Sequence, residues 1–343
     1  MTVSIVILNW NGEKFLKKYL PILIKNTIAD DIEIVVADNG STDNSIELIK
    51  SSFTEVRTIL FDKNYGFAGG YNKALSQIEA EYFVLLNSDV EVTESWLDPL
   101  LKYMDQHKDV AACQPKILSQ VNRSYFEHAG ASGGFIDKYG FPFCRGRIFG
   151  KVEQDNGQYD TIIDIFWASG ACLMIRSEAF NKVGGLDDDF FAHMEEIDLC
   201  WRLKNRAYRI VCIPESIVYH VGGGTLNVEH PYKTYLNFRN NLFMLYKNLP
   251  NATLKKTLNT RFWFDYLAAF QMFITGKTKN AISVFKARKD FKNRVIYFKE
   301  KRNDNLLYST IMDHPEMLQK SLVFEYYLSG KIFFSKVFQN NTK

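Results

Sequence analysis

The chain has 343 residues, enough to bury a large core, and 46% hydrophobic with 15% aromatic content excludes a disordered protein. The net charge of +3 is unevenly spread: residues 1–230 carry 22 Lys and Arg against 32 Asp and Glu, whereas residues 231–343 carry 20 against 7. We therefore expect an acidic unit over 1–230 and a basic extension over 231–343 that meets an anionic surface.

The cysteines and the apolar runs indicate where in the cell the protein is expected. The five cysteines are odd in number and lack the spacing of a zinc site, and no signal peptide is recognisable at the N-terminus. No run reaches the roughly 18 apolar residues that a membrane-spanning helix needs. We expect reduced thiols in a cytoplasmic protein, attached at most peripherally to the inner face of the cytoplasmic membrane.

Strand and helix patterns alternate over the first hundred residues. VSIVIL is an apolar run typical of a strand buried on both faces, and EKFLKKYLPILIKN follows with helical spacing. IEIVVA and YFVLLN repeat the strand pattern, and Ser41 or Thr42 is predicted to cap the helix after IEIVVA. This order predicts an α/β fold with a mostly parallel, Rossmann-like sheet covered by helices, whose ligands bind at the carboxyl ends of the strands.

The rest of the chain is less regular. Residues 110–165 are rich in Gly and aromatic residues, which predicts a long loop or a small antiparallel excursion over the site. FWASGACLMIR and IVYHVGGGT are predicted strands, and SEAFNKVGG and EEIDLCWRLK are predicted helices. Residues 232–249 and 257–300 have helical patterns, so the basic extension is expected to be helical.

Carboxylates and one histidine form a chemical constellation. Asp89 ends the buried strand YFVLLNSDV, Glu195 and Glu196 begin a helix, and His220 ends a later strand. Such a set can hold a divalent cation beside a base, as in an enzyme acting on a phosphorylated substrate. Asp198 and Arg202 are four residues apart on that helix and are expected to form an ion pair. The three aspartates of GGLDDD are expected to form a solvated turn.

The motif series resembles glycosyltransferase family 2, in particular the rhamnosyltransferase-like branch of bacterial surface-polysaccharide enzymes. The resemblance covers roughly residues 1–245 and rests on VSIVILNWNG, VVADNGSTDNS, NYGFAGGYN, LLNSDV, WASGACLMIR, GGLDDDFFAHMEEIDLCWR and VYHVGGGT. It implies a GT-A fold over 1–230, a nucleoside-diphosphate-sugar donor linked to dTDP or UDP, a divalent metal, and inversion at the anomeric carbon. The implied acceptor is a glycan or lipid-linked glycan. We expect no nucleic acid partner, and an anionic membrane surface or an oligomer stays possible.

The resemblance also implies residue roles. Asp38 would accept the imide N–H of uracil or thymine. LLNSDV stands where the family has its DxD motif, with Asn87 replacing the first Asp; Asp89 and His220 are the predicted ligands of Mn²⁺ or Mg²⁺. Glu196 is the predicted general base, with Glu195 as the alternative and Asp198 as a catalytic candidate that orients its neighbours. The other predicted donor-binding residues are Asn9, Asn11, Gly66, Gly69, Asn72 and Ser88. Trp167 and Gly170 are predicted to line an acceptor or sugar pocket. Trp167 is equally well explained as a core residue.

Two other classes of protein stay open on the residues alone. A nucleotidyltransferase also needs carboxylates and a metal, but NWNGEKF after the first strand lacks the Gly-rich basic loop typical of that class. A non-catalytic nucleotide-binding or nucleic-acid-binding protein could combine an α/β unit with a basic extension. In this chain, the basic residues of the extension alternate with Trp, Phe and Tyr at helical spacing, which argues against a nucleic-acid surface.

Overall fold

The computed structural model describes residues 2–27, 29–222 and 230–338. Fourteen strands are assigned within these ranges. They are β1 Val3–Asn9, β2 Ile32–Asp38, β3 Arg57–Leu60, β4 Tyr82–Leu86, β5 Val90–Val92, β6 Val110–Ser119, β7 Gly134–Asp137, β8 Pro142–Cys144, β9 Arg147–Ile148, β10 Lys151–Val152, β11 Ile163–Asp164, β12 Cys172–Arg176, β13 Arg209–His220 and β14 Met317–Leu318.

Twelve α-helices are assigned within the same ranges. They are α1 Glu13–Lys25, α2 Ser45–Ser52, α3 Gly66–Leu75, α4 Asp98–Gln106, α5 Ser177–Lys182, α6 Glu195–Asn205, α7 Pro231–Asn248, α8 Asn251–Ile274, α9 Thr278–Arg294, α10 Lys299–Leu307, α11 Leu322–Tyr327 and α12 Phe334–Val337. Among the residues that are described, no helix is long and apolar enough to cross a membrane.

The main sheet has nine strands in the order β11-β13-β6-β12-β4-β1-β2-β3, with β5 paired to β13. Strands β1 to β4, β6 and β13 run in one direction, and β5, β11 and β12 run against them. Successive residues of β1 point to opposite faces, so Ile5 and Ile7 join the core under α1, α2 and α4, while Val6 joins the core under α3, α5 and α6. The predicted mostly parallel sheet covered by helices is confirmed.

The irregular region is a second, small sheet of five strands in the order β10-β9-β8-β7-β14. Strands β7 to β10 form antiparallel neighbours, which confirms the predicted excursion, but β14 comes from the C-terminal region and runs parallel to β7. Phe334 and Phe338 of the same region pack on Phe135 with ring centroids 4.9 and 4.7 Å apart. The boundary near residue 230 stays a prediction, and residues on both sides of it share one core.

The predicted cap of the second helix is wrong. Helix α2 begins at Ser45, and its first backbone N–H donates to the Asp43 carboxylate at 3.1 Å. Ser41 and Thr42 instead bond to the loop after β1. The helix starts later than the sequence pattern indicated, because the residues after Asp38 are used to hold the strand ends together.

The prediction of a solvated turn at GGLDDD is wrong for Asp187, whereas Asp188 and Asp189 are exposed as expected. Asp187 is 7% exposed and accepts hydrogen bonds from Lys247 of α7, at 2.5 Å, and from Lys301 of α10. Lys247 also donates to Asp198 of α6 at 2.8 Å, and Asp198 forms the predicted ion pair with Arg202 at 2.9 Å. The segment is therefore where the C-terminal helices dock, through a buried cluster of opposite charges.

Replacing Lys247 by Met should destabilise the fold. The apolar side chain fits the buried position but leaves Asp187 and Asp198 without their shared cation, which costs roughly 3–5 kcal/mol when a buried pair loses one partner. Lys255→Met on exposed α8 is the control and should change stability by no more than about 0.5 kcal/mol. Urea unfolding of both variants tests this, and equal midpoints would contradict a stabilising role for Lys247.

Candidate active site

The ends of β1 and β2 meet at the first part of the site. Asn9 and Asp38 are register partners, and the Asn9 amide donates to the Asp38 carboxylate at 2.9 Å. The other carboxylate oxygen of Asp38 accepts the Ser41 backbone N–H at 2.8 Å. Asp38 is fully buried, so its contact with a nucleotide base stays a prediction, while its position at a strand end is as expected.

Asn11 ties the two strand-end loops together. Its backbone N–H donates to the Ser41 hydroxyl at 2.9 Å, and its side-chain carbonyl accepts the Thr42 backbone N–H at 2.7 Å. Asn11 has φ +51°, in the left-handed region that Asn tolerates better than most residues. Its side chain is exposed, and its contact with a donor stays a prediction.

The NYGFAGGYN segment is held mainly by Asn39, which the sequence reasoning missed. The Asn39 side chain accepts the Tyr65 backbone N–H at 2.9 Å and donates to the Gly66 carbonyl at 3.0 Å. Gly66 has φ +75°, and a Cβ there would lie 2.5 Å from Phe191. Gly66 is thus required by backbone shape and close approach.

The other donor-binding candidates of this segment differ in their surroundings. Asn72 both donates to the Leu186 carbonyl, at 2.8 Å, and accepts the Leu186 N–H, at 3.0 Å, so it holds the GGLDDD segment in place. A Cβ on Gly69 would make only ordinary contacts, the nearest at 3.4 Å from Tyr65. Contact of either residue with a donor stays a prediction.

Asp89 and His220 lie together although 131 residues separate them. Strand β5, which follows Asp89, pairs antiparallel with the end of β13, and His220 is opposite Val90. The His220 Nε2 atom lies 3.1 Å from the Asp89 carboxylate, and its Nδ1 atom lies 3.3 Å from the carboxylate of Glu127. The sequence reasoning missed Glu127, because it lies in the irregular region far from either partner.

The pair fits a divalent cation of the Mn²⁺ type. Carboxylate oxygen with imidazole nitrogen is a donor set that such ions accept, and a second carboxylate on the far ring nitrogen is the usual way to orient a ligating histidine. Burial alone would lower the pKa of His220, but the hydrogen bond with Asp89 and the nearby carboxylate of Glu127 raise it to about 10. Within the described ranges, no group of three His, Cys, Asp or Glu residues could hold a metal by itself.

Gly222 allows the chain to turn beside this pair. Its φ is +71°, and a Cβ there would lie 2.7 Å from the Glu127 carboxylate. Of the three glycines after Val221, Gly223 and Gly224 lie outside the described residues. Asn87 and Ser88 are partly exposed just before Asp89, and the Asn87 N–H donates to the Ala171 carbonyl at 3.0 Å.

The loop before α6 has an unusual backbone. Phe191, His193 and Met194 have φ of +66°, +71° and +74°, a conformation that costs free energy for residues with a side chain. The Asn240 amide of α7 donates to the carbonyls of Phe190, Ala192 and His193 at 2.8–2.9 Å, and Arg239 donates to those of Asp189 and Phe190 at 3.0 and 3.1 Å. Helix α7 therefore clamps a strained loop that ends at Glu195.

The two glutamates at the start of α6 differ in environment. Glu195 is 4% exposed, and burial together with the charge of Glu196 raises its pKa well above the ordinary value. Glu196 is partly exposed, and burial raises its pKa to about 7. Each has one carboxylate oxygen buried without a hydrogen-bond partner among the described atoms. The pKa values of both carboxyl groups are thus raised, and the carboxylate of Glu196 is the more exposed of the two.

Asp198 and Trp167 are structural residues. Asp198 is fully buried, and its oxygens accept hydrogen bonds from Arg202, Lys247 and Asn248, so it can position α6 but cannot reach a substrate. Trp167 is 4% exposed, and its indole N–H donates to the Phe135 carbonyl at 2.8 Å. Asp198 is thus placed to orient its neighbours, as predicted, and Trp167 is a core residue, the alternative that the sequence left open.

Gly170 lies beside the acidic helix. A Cβ added to it would lie 3.0 Å from the Phe67 ring and 3.9 Å from the Glu196 Cβ. Its neighbour Ala171 accepts the Asn87 N–H, so the loop that carries Asp89 and the helix that carries Glu196 flank the same short segment. The predicted metal ligand Asp89 and the predicted base Glu196 thus border one shared segment of the chain.

The sequence profile of Glycosyl transferase family 2 matches residues 4–184, and the chain belongs to that family. The Low-salt glycan biosynthesis hexosyltransferase Agl10 of Haloferax volcanii is 26% identical over 244 residues, 69% of this chain and 73% of the relative. Rhamnosyltransferase WbbL of Escherichia coli strain K12 is 24% identical over 229 residues, 64% and 83% respectively. The predicted family is confirmed, and a glycosyltransferase replaces the nucleotidyltransferase and non-catalytic alternatives.

The fold is that of GT-A glycosyltransferases. A crystal structure of GalNAc-T7 with UDP, GalNAc and Mn²⁺ superposes with a TM-score of 0.57 at 15% identity, covering 87% of this chain and 57% of that one. At this identity the likeness concerns the fold. The GT-A fold expected from the motif series is confirmed.

Replacing Asn240 by Ala should slow sugar transfer. Losing three hydrogen bonds to the strained loop lets Glu195 and Glu196 shift, and a misplacement near 1 Å can cost roughly 10²-fold in rate. Asn237→Ala is the matched control, because its amide donates only to the Lys233 carbonyl within α7. Turnover numbers and melting temperatures of both variants test this. Equal activity of the two variants would contradict the clamp.

Proposed function

We propose that the chain is a metal-dependent, inverting glycosyltransferase. It transfers a sugar from a dTDP- or UDP-linked donor to a hydroxyl of a glycan or lipid-linked glycan in surface-polysaccharide synthesis. The observation that carries the proposal is the convergence of Asp89, His220 and Glu196 around the segment at Gly170. The names of the hexosyl- and rhamnosyltransferase relatives support a hexose or deoxyhexose as the transferred sugar.

Lys233 is a further candidate residue of the proposed site. Burial lowers the pKa of His193, next to the acidic helix, and the charge of Lys233 lowers it further. Burial also lowers the pKa of Lys233, and the charge of Glu127, which lies next to His220, opposes that shift. A partly buried ammonium of this kind is suited to a diphosphate. Lys233 lies in α7, so this contribution also comes from the C-terminal region.

The metal would be held by Asp89 and His220, with Glu127 orienting the imidazole. Bound there, a divalent cation neutralises charge on the departing nucleoside diphosphate as a Lewis acid. The fit rests on the 3.1 Å separation of Asp89 and His220 and on the carboxylate at the far ring nitrogen. Mn²⁺ in the GalNAc-T7 structure supports the same class of ion.

Glu196 is the proposed general base. Its pKa near 7 leaves a large ionised fraction at neutral pH and retains enough basicity to take a proton from an acceptor hydroxyl. As that proton moves to Glu196, the acceptor oxygen bonds to the anomeric carbon and the bond from that carbon to the phosphate oxygen breaks. A single displacement on the opposite face inverts the anomeric configuration.

Glu196→Gln should lower transfer by roughly 10²–10⁴-fold with little effect on donor affinity, since Gln keeps the shape and removes the basicity. In the wild type, kcat/KM should rise as pH increases through about 7, because the base works only when ionised. Glu195→Gln is the matched control, since it makes the same change at the neighbouring carboxylate, which is more deeply buried. If Glu195→Gln is the inactive variant, the two roles must be exchanged.

A panel of dTDP-, UDP- and GDP-sugars tests the reaction class. With Mn²⁺, the enzyme should release a nucleoside diphosphate, and an excess of EDTA should abolish release. Asp89→Ala should remove most of the activity and weaken Mn²⁺ binding in calorimetry, whereas the exposed Asp62→Ala should change neither. Pyrophosphate release would indicate a nucleotidyltransferase, and full turnover in EDTA would exclude the metal.

A further inference from the structure

Helix α8 buries a polar face and exposes an apolar one, the opposite of an ordinary surface helix. Its buried positions recur every fourth residue and are Thr257, Arg261, Asp265 and Ala269. Arg261 pairs with Asp265 at 2.9 Å, and Arg288 of α9 pairs with the same carboxylate. The inner face is therefore satisfied by ion pairs, and most of the large apolar side chains of the helix point away from the protein.

The outer face is a continuous apolar stripe. Trp263, Leu267, Phe270 and Ile274 are 73%, 60%, 61% and 64% exposed and follow one another at helical spacing. Exposed neighbours that widen it are Phe262 and Phe273 on α8, and Ile282 and Phe285 on α9. We call these eight residues the hairpin face. A contiguous apolar surface of this kind on a folded chain marks an interaction site.

The charge around the hairpin face indicates that its partner is anionic. Residues 251–299 contain eleven Lys and Arg against two Asp. Both aspartates are already paired: Asp265 with Arg261 and Arg288, and Asp290 with Arg294. Exposed lysines at both ends of the stripe, including Lys255, Lys256, Lys279 and Lys286, therefore surround the aromatic side chains with an excess of positive charge.

The helix hairpin that carries this face packs on helix α7. Asn280, at the start of α9, donates to the Thr234 hydroxyl at 2.8 Å. Thr234 follows Lys233 in α7. A surface that covers the hairpin face would therefore lie on helices that pack against α7, the helix that carries Lys233 of the proposed site.

We infer that the hairpin face binds the surface of an anionic phospholipid membrane, with its aromatic side chains in the interfacial layer and its lysines at the headgroups. A second copy of the chain is a poorer partner, because a symmetric contact would bring two strongly positive surfaces together. The aromatic residues form an apolar face across α8 and α9, which does not suit a nucleic-acid groove. Membrane contact at this place would present a lipid-linked acceptor to the site, if the proposed function holds.

Sedimentation with lipid vesicles tests the contact without any sugar nucleotide. The full chain should bind vesicles that contain phosphatidylglycerol at least tenfold more tightly than vesicles of phosphatidylcholine alone, and salt should weaken the binding. The variant Lys255→Gln/Lys256→Gln should bind at least tenfold more weakly, since each lysine near such a surface contributes about fivefold. Equal binding to both lipids would overturn the inference.

A second variant tests the apolar part. Phe270→Ser/Phe273→Ser/Ile274→Ser should lose at least tenfold in vesicle binding while keeping the melting temperature, because all three side chains are exposed. Matched controls are Val121→Ser/Leu328→Ser and Lys17→Gln/Lys50→Gln, which change exposed residues elsewhere and should bind like the wild type. Loss of binding in the controls to the same extent would overturn the inference.

Fluorescence distinguishes insertion from loose adhesion. Trp263 is 73% exposed, and brominated lipids should quench its emission on binding, an effect that Trp263→Phe should remove. Sedimentation equilibrium without lipid tests whether a second copy of the chain occupies the hairpin face instead. A stable dimer that dissociates in the Phe270→Ser/Phe273→Ser/Ile274→Ser variant would show that a second copy covers the hairpin face, and would overturn membrane binding.

Discussion

The position of the acidic helix depends on one buried cation. Lys247 is 2% exposed and lies between Asp187, before the strained loop, and Asp198, after it. The two carboxylates bracket the segment whose backbone is forced to positive φ at three residues with side chains. Buried charges are costly unless they are paired, so the cluster fixes a single arrangement in which Lys247 satisfies both partners. The free energy stored in the loop is thereby offset by contacts outside it.

The proposed catalytic glutamates therefore depend on the C-terminal helices for their position. Helix α7 provides Lys247 for the cluster, Asn240 and Arg239 for the loop carbonyls, and Lys233 at the proposed diphosphate site. The family profile ends at residue 184, yet both glutamates and these supporting groups follow it. One part of the positive charge of the C-terminal region neutralises the GGLDDD segment. Another part, on α8 and α9, is exposed, where we infer that it meets an anionic partner.

Much of this could be predicted from the sequence, because it follows from local patterns. Apolar runs gave the central strands, strand ends gave Asp38 and Asp89, and helical spacing gave the pair of Asp198 with Arg202. The failures involve partners that are distant in the chain. Three successive aspartates usually face solvent, and nothing near Asp187 indicates a lysine 60 residues later. Glu127 and Asn240 have no local pattern at all, since their partners are defined only once the sheets and α7 have packed. Ser41 and Thr42 are good caps in isolation, but the strand-end loop competes for them.

In the proposed mechanism, the metal, the donor and the base meet where Asp89, His220 and Glu196 converge. Anomalous diffraction from crystals grown with Mn²⁺ and a nucleoside diphosphate measures this directly. The expected result is one Mn²⁺ peak about 2.1 Å from an Asp89 oxygen, coordinated by His220 and by the diphosphate, with Glu196 facing the same cleft. A diphosphate bound without metal, or a Mn²⁺ peak remote from Asp89 and His220, would contradict it.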